Sequence, residues 1–95
     1  MSVTVFLELS FIPEKAEEAI AYLKEITPDT AAFDGCLALV PYSNQDDSAN
    51  LVIVEEWETK EHHQKYMAWR QETGFIEKVG PMLAAPPSTR YFNKG

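Results

Sequence analysis

The sequence is poor in cysteine, in basic residues and in long apolar runs. Cys36 is the one cysteine, so an internal disulfide is excluded, which favours the reducing environment of the cytoplasm. Eight lysine and arginine residues against 15 acidic ones leave a formal net charge of −7, which argues against nucleic-acid binding because that needs clustered positive charge. No apolar stretch approaches the roughly 20 residues of a membrane span, and the N-terminal residues lack the pattern of a signal peptide. These absences predict a cytoplasmic globular protein that binds neither nucleic acid nor membrane.

Apolar periodicity predicts the order of the secondary structure elements in one domain that spans residues 1–95. Alternating apolar residues indicate strands, and apolar residues three or four apart indicate helices. The first helix is expected to be interrupted at Pro28, because proline disfavours helical geometry in the residue before it. The polar segment 43–50 is expected to be a loop between two antiparallel strands. Strands are predicted at 3–11, 36–42, 51–57 and 88–93, helices at 13–26 and 60–71, and a short irregular helix at 75–83.

This order, β-α-β-β-α-β, is that of the split βαβ arrangement. We therefore predict an α+β, ferredoxin-like fold with a four-stranded antiparallel sheet. Segment 51–54 (LVIV) is apolar on both faces, which implies cover on both, whereas the helices can cover only one face. We expect the second cover to be the sheet of another subunit, so that a homodimer forms a dimeric α+β barrel.

The stretch 51–70 carries the candidate functional residues. Glu55 and Trp57 share one strand face, and a partly buried carboxylate acquires a raised pKa that suits proton abstraction. In the following helix, histidine supplies a base near neutral pH, and of the adjacent His62 and His63 we favour His63 for the pocket. Chelating histidines on a helix usually sit about three or four residues apart, so this pair predicts no metal site. The predicted catalytic residues are His63 and Glu55, and the predicted substrate-binding residues are Trp57, Tyr66, Trp69 and Arg70.

Each candidate also has a purely structural interpretation. Trp57 serves equally well as the largest core residue at a strand end. Glu55 is able to pair with Arg70 without any role in chemistry. Tyr66 and Trp69 are typical of core or pocket lining rather than of reacting groups. The sequence pattern leaves both interpretations open.

Three segments resemble the antibiotic biosynthesis monooxygenase domain family: FDGC at 33–36, NQDD at 44–47 and EEWETKEHHQKY at 55–66. The resemblance implies a dimeric ferredoxin-like fold. It also implies a small oxygenase that oxidises electron-rich aromatics, such as anthrones or dihydroquinones, with O2 and without metal, flavin or another cofactor. The anion of such a substrate can itself reduce O2, so the protein has to deprotonate it and enclose it between aromatic walls.

Matched position by position, Trp57 corresponds to the pocket tryptophan of oxygenases in this family. Where some members carry an asparagine four positions earlier, this chain has Ile53, and where some carry a tyrosine six positions later, it has His63. The leading hypothesis is a cofactor-independent monooxygenase that acts on a quinol-like or polyphenolic aromatic. The alternatives are a non-catalytic dimeric small-molecule-binding domain and an isomerase or decarboxylase that uses the same pocket.

Overall fold

The structure, a computed structural model, describes residues 2–94. Its four strands form one antiparallel sheet in the order β2-β3-β1-β4, and the helices pack on one face of it. This arrangement confirms the predicted α+β, ferredoxin-like fold. The elements are β1 (Val3–Ser10), α1 (Ala16–Ala31), β2 (Cys36–Asn44), β3 (Asp47–Trp57), α2 (Lys60–Glu72), α3 (Phe75–Val79) and β4 (Ser88–Phe92), with 3-10 turns at Pro13–Lys15 and Gly80–Met82.

Strand β3 divides its side chains between the two faces as its alternation predicts. Leu51, Ile53, Glu55 and Trp57 are buried beneath the helices, while the residues between them are half-buried on the opposite face. β1 lies beside β3 and repeats this pattern. On the inner face, Glu55 is a buried acidic side chain between the apolar Ile53 and Trp57.

Helix α1 runs through Pro28, so the predicted interruption there is wrong. Proline removes one backbone donor, but the hydroxyl of Thr27 donates to the Leu23 carbonyl at 2.6 Å within the same turn. The last turn is also tied to α2, because the side chain of Thr30 and the carbonyl of Ile26 both hydrogen bond to that helix. These contacts hold the C-terminal turn helical despite the missing N–H.

The segment 43–50 belongs mainly to a β-hairpin, so the predicted loop is wrong in extent. β2 continues to Asn44 and β3 starts at Asp47. Asn44 Oδ1 accepts a hydrogen bond from the Asp46 N–H at 2.8 Å, and Asp47 Oδ1 accepts one from the Ala49 N–H at 3.0 Å. The polar side chains thus satisfy the tight turn, and the antiparallel pairing expected for the flanking strands is confirmed.

The C-terminal region follows the sequence pattern closely. Thr59 caps α2 by accepting a hydrogen bond from the His62 N–H at 3.1 Å. Gly74, with φ of 87°, separates α2 from α3, and the chain leaves α3 through the Gly80–Met82 turn. Within residues 2–94, no helix combines the length and apolarity needed to cross a bilayer.

Position 35 requires glycine because of its backbone conformation and because of the neighbouring side chain of His62. Its φ is +88°, and a Cβ there would lie 2.4 Å from the imidazole ring of His62. We expect Gly35→Ala to lower the free energy of unfolding by about 1–3 kcal/mol, the cost of a strained non-glycine backbone. Urea denaturation checks this against Gly80→Ala, where φ is −49° and the new Cβ meets no atom within 4 Å. Equal losses in the two variants would contradict the prediction.

Candidate functional site

A cavity of about 580 Å3 lies between α2, α3 and the inner face of the sheet. Most of its wall is apolar. Polar side chains from β3, α2 and β4 also line it: Glu55, Gln64, Tyr66, Arg70, Gln71, Thr89 and Tyr91. The main apolar residues of the wall are Leu7, Leu9, Phe75, Ile76, Val79 and Leu83.

Glu55 is a buried carboxylate that reaches the cavity. It is 3% exposed, and its Oε1 accepts a hydrogen bond from Trp57 Nε1 at 2.8 Å. Burial raises the pKa of Glu55, and the bond from Trp57 and the positive charge of Arg70 oppose that shift without cancelling it. A carboxylate with a raised pKa is a stronger base than one in water.

His63 lies beside Glu55 but does not line the cavity. Its ring is 2% exposed, with Nε2 at 3.7 Å from Glu55 Oε1 and Nδ1 at 2.8 Å from Tyr91 Oη. Burial lowers the pKa of His63 from 6.5 to about 4. The 3.7 Å pair is therefore a neutral imidazole beside a carboxyl group at neutral pH, and it is not an ion pair.

Arg70 is anchored by α1 and by its own helix. Its Nε donates to Tyr66 Oη at 2.7 Å, and its Nη2 donates to Thr30 Oγ1 at 2.7 Å and to the Ile26 carbonyl at 3.0 Å. Nη1 makes no hydrogen bond within residues 2–94. Since Arg70 lines the cavity, this nitrogen is the part of the guanidinium that a ligand can use.

The two predicted tryptophans lie behind the cavity rather than on its wall. Trp57 has no exposed surface and packs against Phe33, His63 and Tyr66, with ring centroids 5.1–6.2 Å apart. Trp69 is half-buried, with its ring 5.3 Å from Phe33 and beneath the Arg70 guanidinium at 4.8 Å. Of the predicted site residues, the structure places Glu55, Tyr66 and Arg70 on the cavity and His63, Trp57 and Trp69 in the layer behind it.

Tyr91 is a polar cavity residue that the sequence analysis did not predict for the site. β1 lies between β3 and β4, and Val5 pairs with Glu55 on one side and with Tyr91 on the other. The three residues therefore form one row across the sheet, with side chains on the same face. The only sequence signal was the alternation of Tyr91 with its neighbours in the last predicted strand.

A second cluster of polar groups lies outside the cavity, at the start of α2. Asp34, Glu58 and His62 place ligand-type atoms within 4.8 Å of one another. Asp34 and Glu58 are exposed, and His62 Nδ1 is already hydrogen bonded to Thr59 Oγ1 at 2.7 Å. Exposed acidic groups lie this close on many proteins that bind no metal, so we assign no metal to them.

Comparisons with known proteins give a consistent result. A family model described as antibiotic biosynthesis monooxygenase matches residues 2–77, whereas no curated protein matches the chain significantly. A conserved protein from Methanosarcina mazei Go1 is similar in structure, with a TM-score of 0.88, 17% identity and coverage of 100% of this chain and 94% of that one. A structure described as an antibiotic biosynthesis monooxygenase has a TM-score of 0.88 at 17% identity over 98% of both chains. A protein from Mycobacterium tuberculosis reaches 0.86 at 20% identity, over 99% of this chain and 95% of its own.

Proposed function

The chain belongs to the antibiotic biosynthesis monooxygenase family, and on that premise we propose that it is a cytoplasmic, cofactor-independent monooxygenase that oxidises a quinol-like or polyphenolic aromatic with O2. One observation carries the proposal. Glu55, a buried carboxyl group with a raised pKa, opens onto a cavity whose wall is mainly apolar. Such a site can both enclose an aromatic ring and remove a proton from it.

The cavity has the size and polarity of a small-molecule site. Its volume of about 580 Å3 falls within the roughly 300–1,000 Å3 of known ligand pockets. Leucine, isoleucine and Phe75 side chains suit aromatic rings, which bind by dispersion and edge or face contacts. Arg70 Nη1 suits an anionic substrate oxygen, because hydrogen bonds between charged partners are strong and directional.

The proposed reaction uses the substrate itself as the reductant. Loss of a proton to Glu55, from the hydroxyl group of a quinol or from the CH2 carbon of an anthrone, makes the aromatic anion. This anion transfers an electron to O2, and the two radicals combine to form a carbon–oxygen bond. The resulting peroxide anion takes the proton back from Glu55. For an anthrone-type carbon, the hydroperoxide then loses water, so that CH2 and O2 become C=O and H2O.

Two of the predicted roles are revised in this proposal. We propose Glu55 as the proton acceptor, because His63 does not line the cavity and its pKa of about 4 makes it a weak base. We propose Tyr66 and Arg70 as substrate contacts. Trp57 and Trp69 then support these residues from behind, with Trp57 donating the hydrogen bond that orients Glu55.

We further propose that the protein is a homodimer through the face of the sheet that the helices leave uncovered. That face carries Val40, Tyr42 and Phe92, which are 46%, 56% and 43% exposed. We expect Val40→Glu to weaken the dimer at least tenfold, because charge burial costs more than about 1.4 kcal/mol. Sedimentation velocity over a concentration series checks this against Ala21→Glu, on the exposed side of α1. A wild-type chain that sediments as a monomer throughout would contradict the proposal.

Oxygen uptake with a short panel of dihydroquinones and anthrones tests the function. Uptake above the autoxidation of a heat-denatured control, and unchanged by a chelator, supports the cofactor-independent oxygenase. A ligand-induced rise in melting temperature without turnover would favour the non-catalytic binding domain instead. Turnover that persists without O2 would favour an isomerase or decarboxylase.

A further inference from the structure

A row of three polar side chains, Tyr91, His63 and Glu55, runs from the cavity wall into the interior, with one hydrogen bond and one wider gap. Tyr91 lines the cavity, and its Oη lies 2.8 Å from His63 Nδ1. The other nitrogen of the same ring, Nε2, lies 3.7 Å from Glu55 Oε1. Glu55 lines the cavity itself, and His63 lies between Glu55 and Tyr91, hydrogen bonded to Tyr91 and 3.7 Å from Glu55.

The buried carboxylate sets the direction of hydrogen bonding in this row. A neutral imidazole carries one proton, on either Nδ1 or Nε2. If Nε2 were unprotonated, its lone pair would face the lone pairs of ionised Glu55 and repel them. A protonated Nε2 directs an N–H at the carboxylate instead, so the tautomer with the proton on Nε2 is favoured. Nδ1 is then an acceptor, and Tyr91 has to donate its hydroxyl proton to it. The lone pairs of Tyr91 Oη remain free to accept a hydrogen bond from a ligand in the cavity.

We propose that Tyr91 is a catalytic residue that accepts the substrate hydroxyl proton, and that His63 relays the charge of that proton to Glu55. When the 3.7 Å between His63 Nε2 and Glu55 Oε1 shortens to hydrogen-bond distance, three protons move in one concerted step. The substrate O–H proton moves to Tyr91 Oη, the Tyr91 proton moves to His63 Nδ1 and the His63 Nε2 proton moves to Glu55. Three bonds to hydrogen break and three form. The substrate becomes an anion, Glu55 becomes neutral and His63 changes tautomer without becoming charged.

The surroundings of Tyr91 and His63 suit residues that pass a proton on. They do not suit a base that keeps the proton. Burial and the charge of Glu55 raise the pKa of Tyr91, so its phenol keeps a proton to pass on. The ammonium of Lys60 lies 4.6 Å from the centre of the Tyr91 ring, where it stabilises electron density that the ring gains during transfer. The low pKa of His63 keeps the imidazole neutral before and after the step.

Nitrogen-15 NMR of the histidine rings tests the direction of hydrogen bonding in this row without any substrate. In mildly alkaline buffer we expect His63 to be protonated on Nε2, with its unprotonated Nδ1 shifted by a hydrogen bond. Tyr91→Phe removes that bond and should move the Nδ1 resonance, whereas Tyr22→Phe, at a tyrosine outside the cavity wall, should not. His62→Gln assigns the signals. A proton on Nδ1 of wild-type His63, or an unchanged Nδ1 shift in Tyr91→Phe, would overturn the relay.

Enzyme kinetics tests whether Tyr91 and His63 contribute to turnover. This test rests on the proposed function. Tyr91→Phe and His63→Gln should each lower kcat by about 100-fold, the lower range for general acid–base groups. The double variant should lose little more, because both changes break the same relay. Additive losses, or full activity in Tyr91→Phe, would show that the substrate passes its proton to Glu55 directly. If no substrate consumes O2 while the NMR result is as expected, the proposed function fails, whereas the hydrogen bond from Tyr91 to His63 and the tautomer of His63 stand.

Discussion

Glu55→Gln is expected to lower kcat by about 10²–10⁴-fold, the range for loss of a general acid–base group. The amide keeps an oxygen that can accept the hydrogen bond from Trp57 Nε1. It cannot take up a proton, so deprotonation of the substrate by either the direct or the relayed route is lost. Oxygen uptake under saturating substrate measures the effect.

The same substitution should leave the fold at least as stable at neutral pH. Burial raises the folded-state pKa of Glu55 above its unfolded value, so the ionised carboxylate destabilises the fold above that pKa. The penalty begins to fall as the pH drops through the folded-state pKa, and it is gone below the unfolded-state pKa, where the carboxyl group is protonated in both states. Urea denaturation of the variant should therefore show an equal or higher midpoint at neutral pH, with this part of the pH dependence removed.

Glu56→Gln is the matched control, because Glu56 is the next residue and lies on the opposite face of β3. Its carboxylate hydrogen bonds to the Thr4 hydroxyl, away from the cavity. We expect near wild-type oxygen uptake from this variant. Equal activity losses at positions 55 and 56 would contradict the assignment of Glu55 as the proton acceptor.

Trp57→Ala is expected to lower the free energy of unfolding by about 3–5 kcal/mol, as large-to-small changes at buried aromatic sites do. The ring has no exposed surface and contacts Phe33, His63 and Tyr66. Its removal leaves a void in this cluster and takes away the N–H that bonds Glu55. Both effects act on the folded state, and urea denaturation followed by circular dichroism measures their sum.

Trp69→Ala makes the same chemical deletion at a half-buried position. We expect it to cost clearly less than Trp57→Ala, since a partly exposed ring loses less burial on folding. Equal losses would contradict the view that Trp57 is the central residue of the aromatic cluster. Residual activity of Trp57→Ala, measured well below its unfolding midpoint, then reports how much the tryptophan contributes to holding Glu55.

The two errors about secondary structure have a common cause. Pro28 and the polar segment 43–50 were interpreted from local preference, which describes an isolated chain. In the folded protein, the end of α1 is held by hydrogen bonds to Arg70, which is 40 and 44 residues from its two partners. The polar side chains of Asn44 and Asp47 satisfy the backbone of a tight hairpin. In both places, specific hydrogen bonds in the folded protein outweigh the local preference of the chain.

The candidate site also contains some residues that local sequence patterns could predict and others that they could not. Glu55, Tyr66 and Arg70 were predicted as site residues and line the cavity, and strand alternation alone places Glu55 on the inner face. Trp57 was predicted for the wall, but alternation cannot distinguish a side chain that reaches a cavity from one that packs behind it. Tyr91 could not be found at all, since its place beside the site depends on the pairing of β4 with β1.

The sequence by itself determined the order of the elements, the α+β fold and the presence of one carboxylate on a buried strand face. These follow from periodicities of two and about 3.6 residues, which are local properties of the chain. Only the tertiary structure decided which side chains meet at the cavity, the pKa of Glu55 and the contact between His63 and Tyr91. Each of these depends on distances between residues remote in sequence and on how much water the packed fold excludes from them.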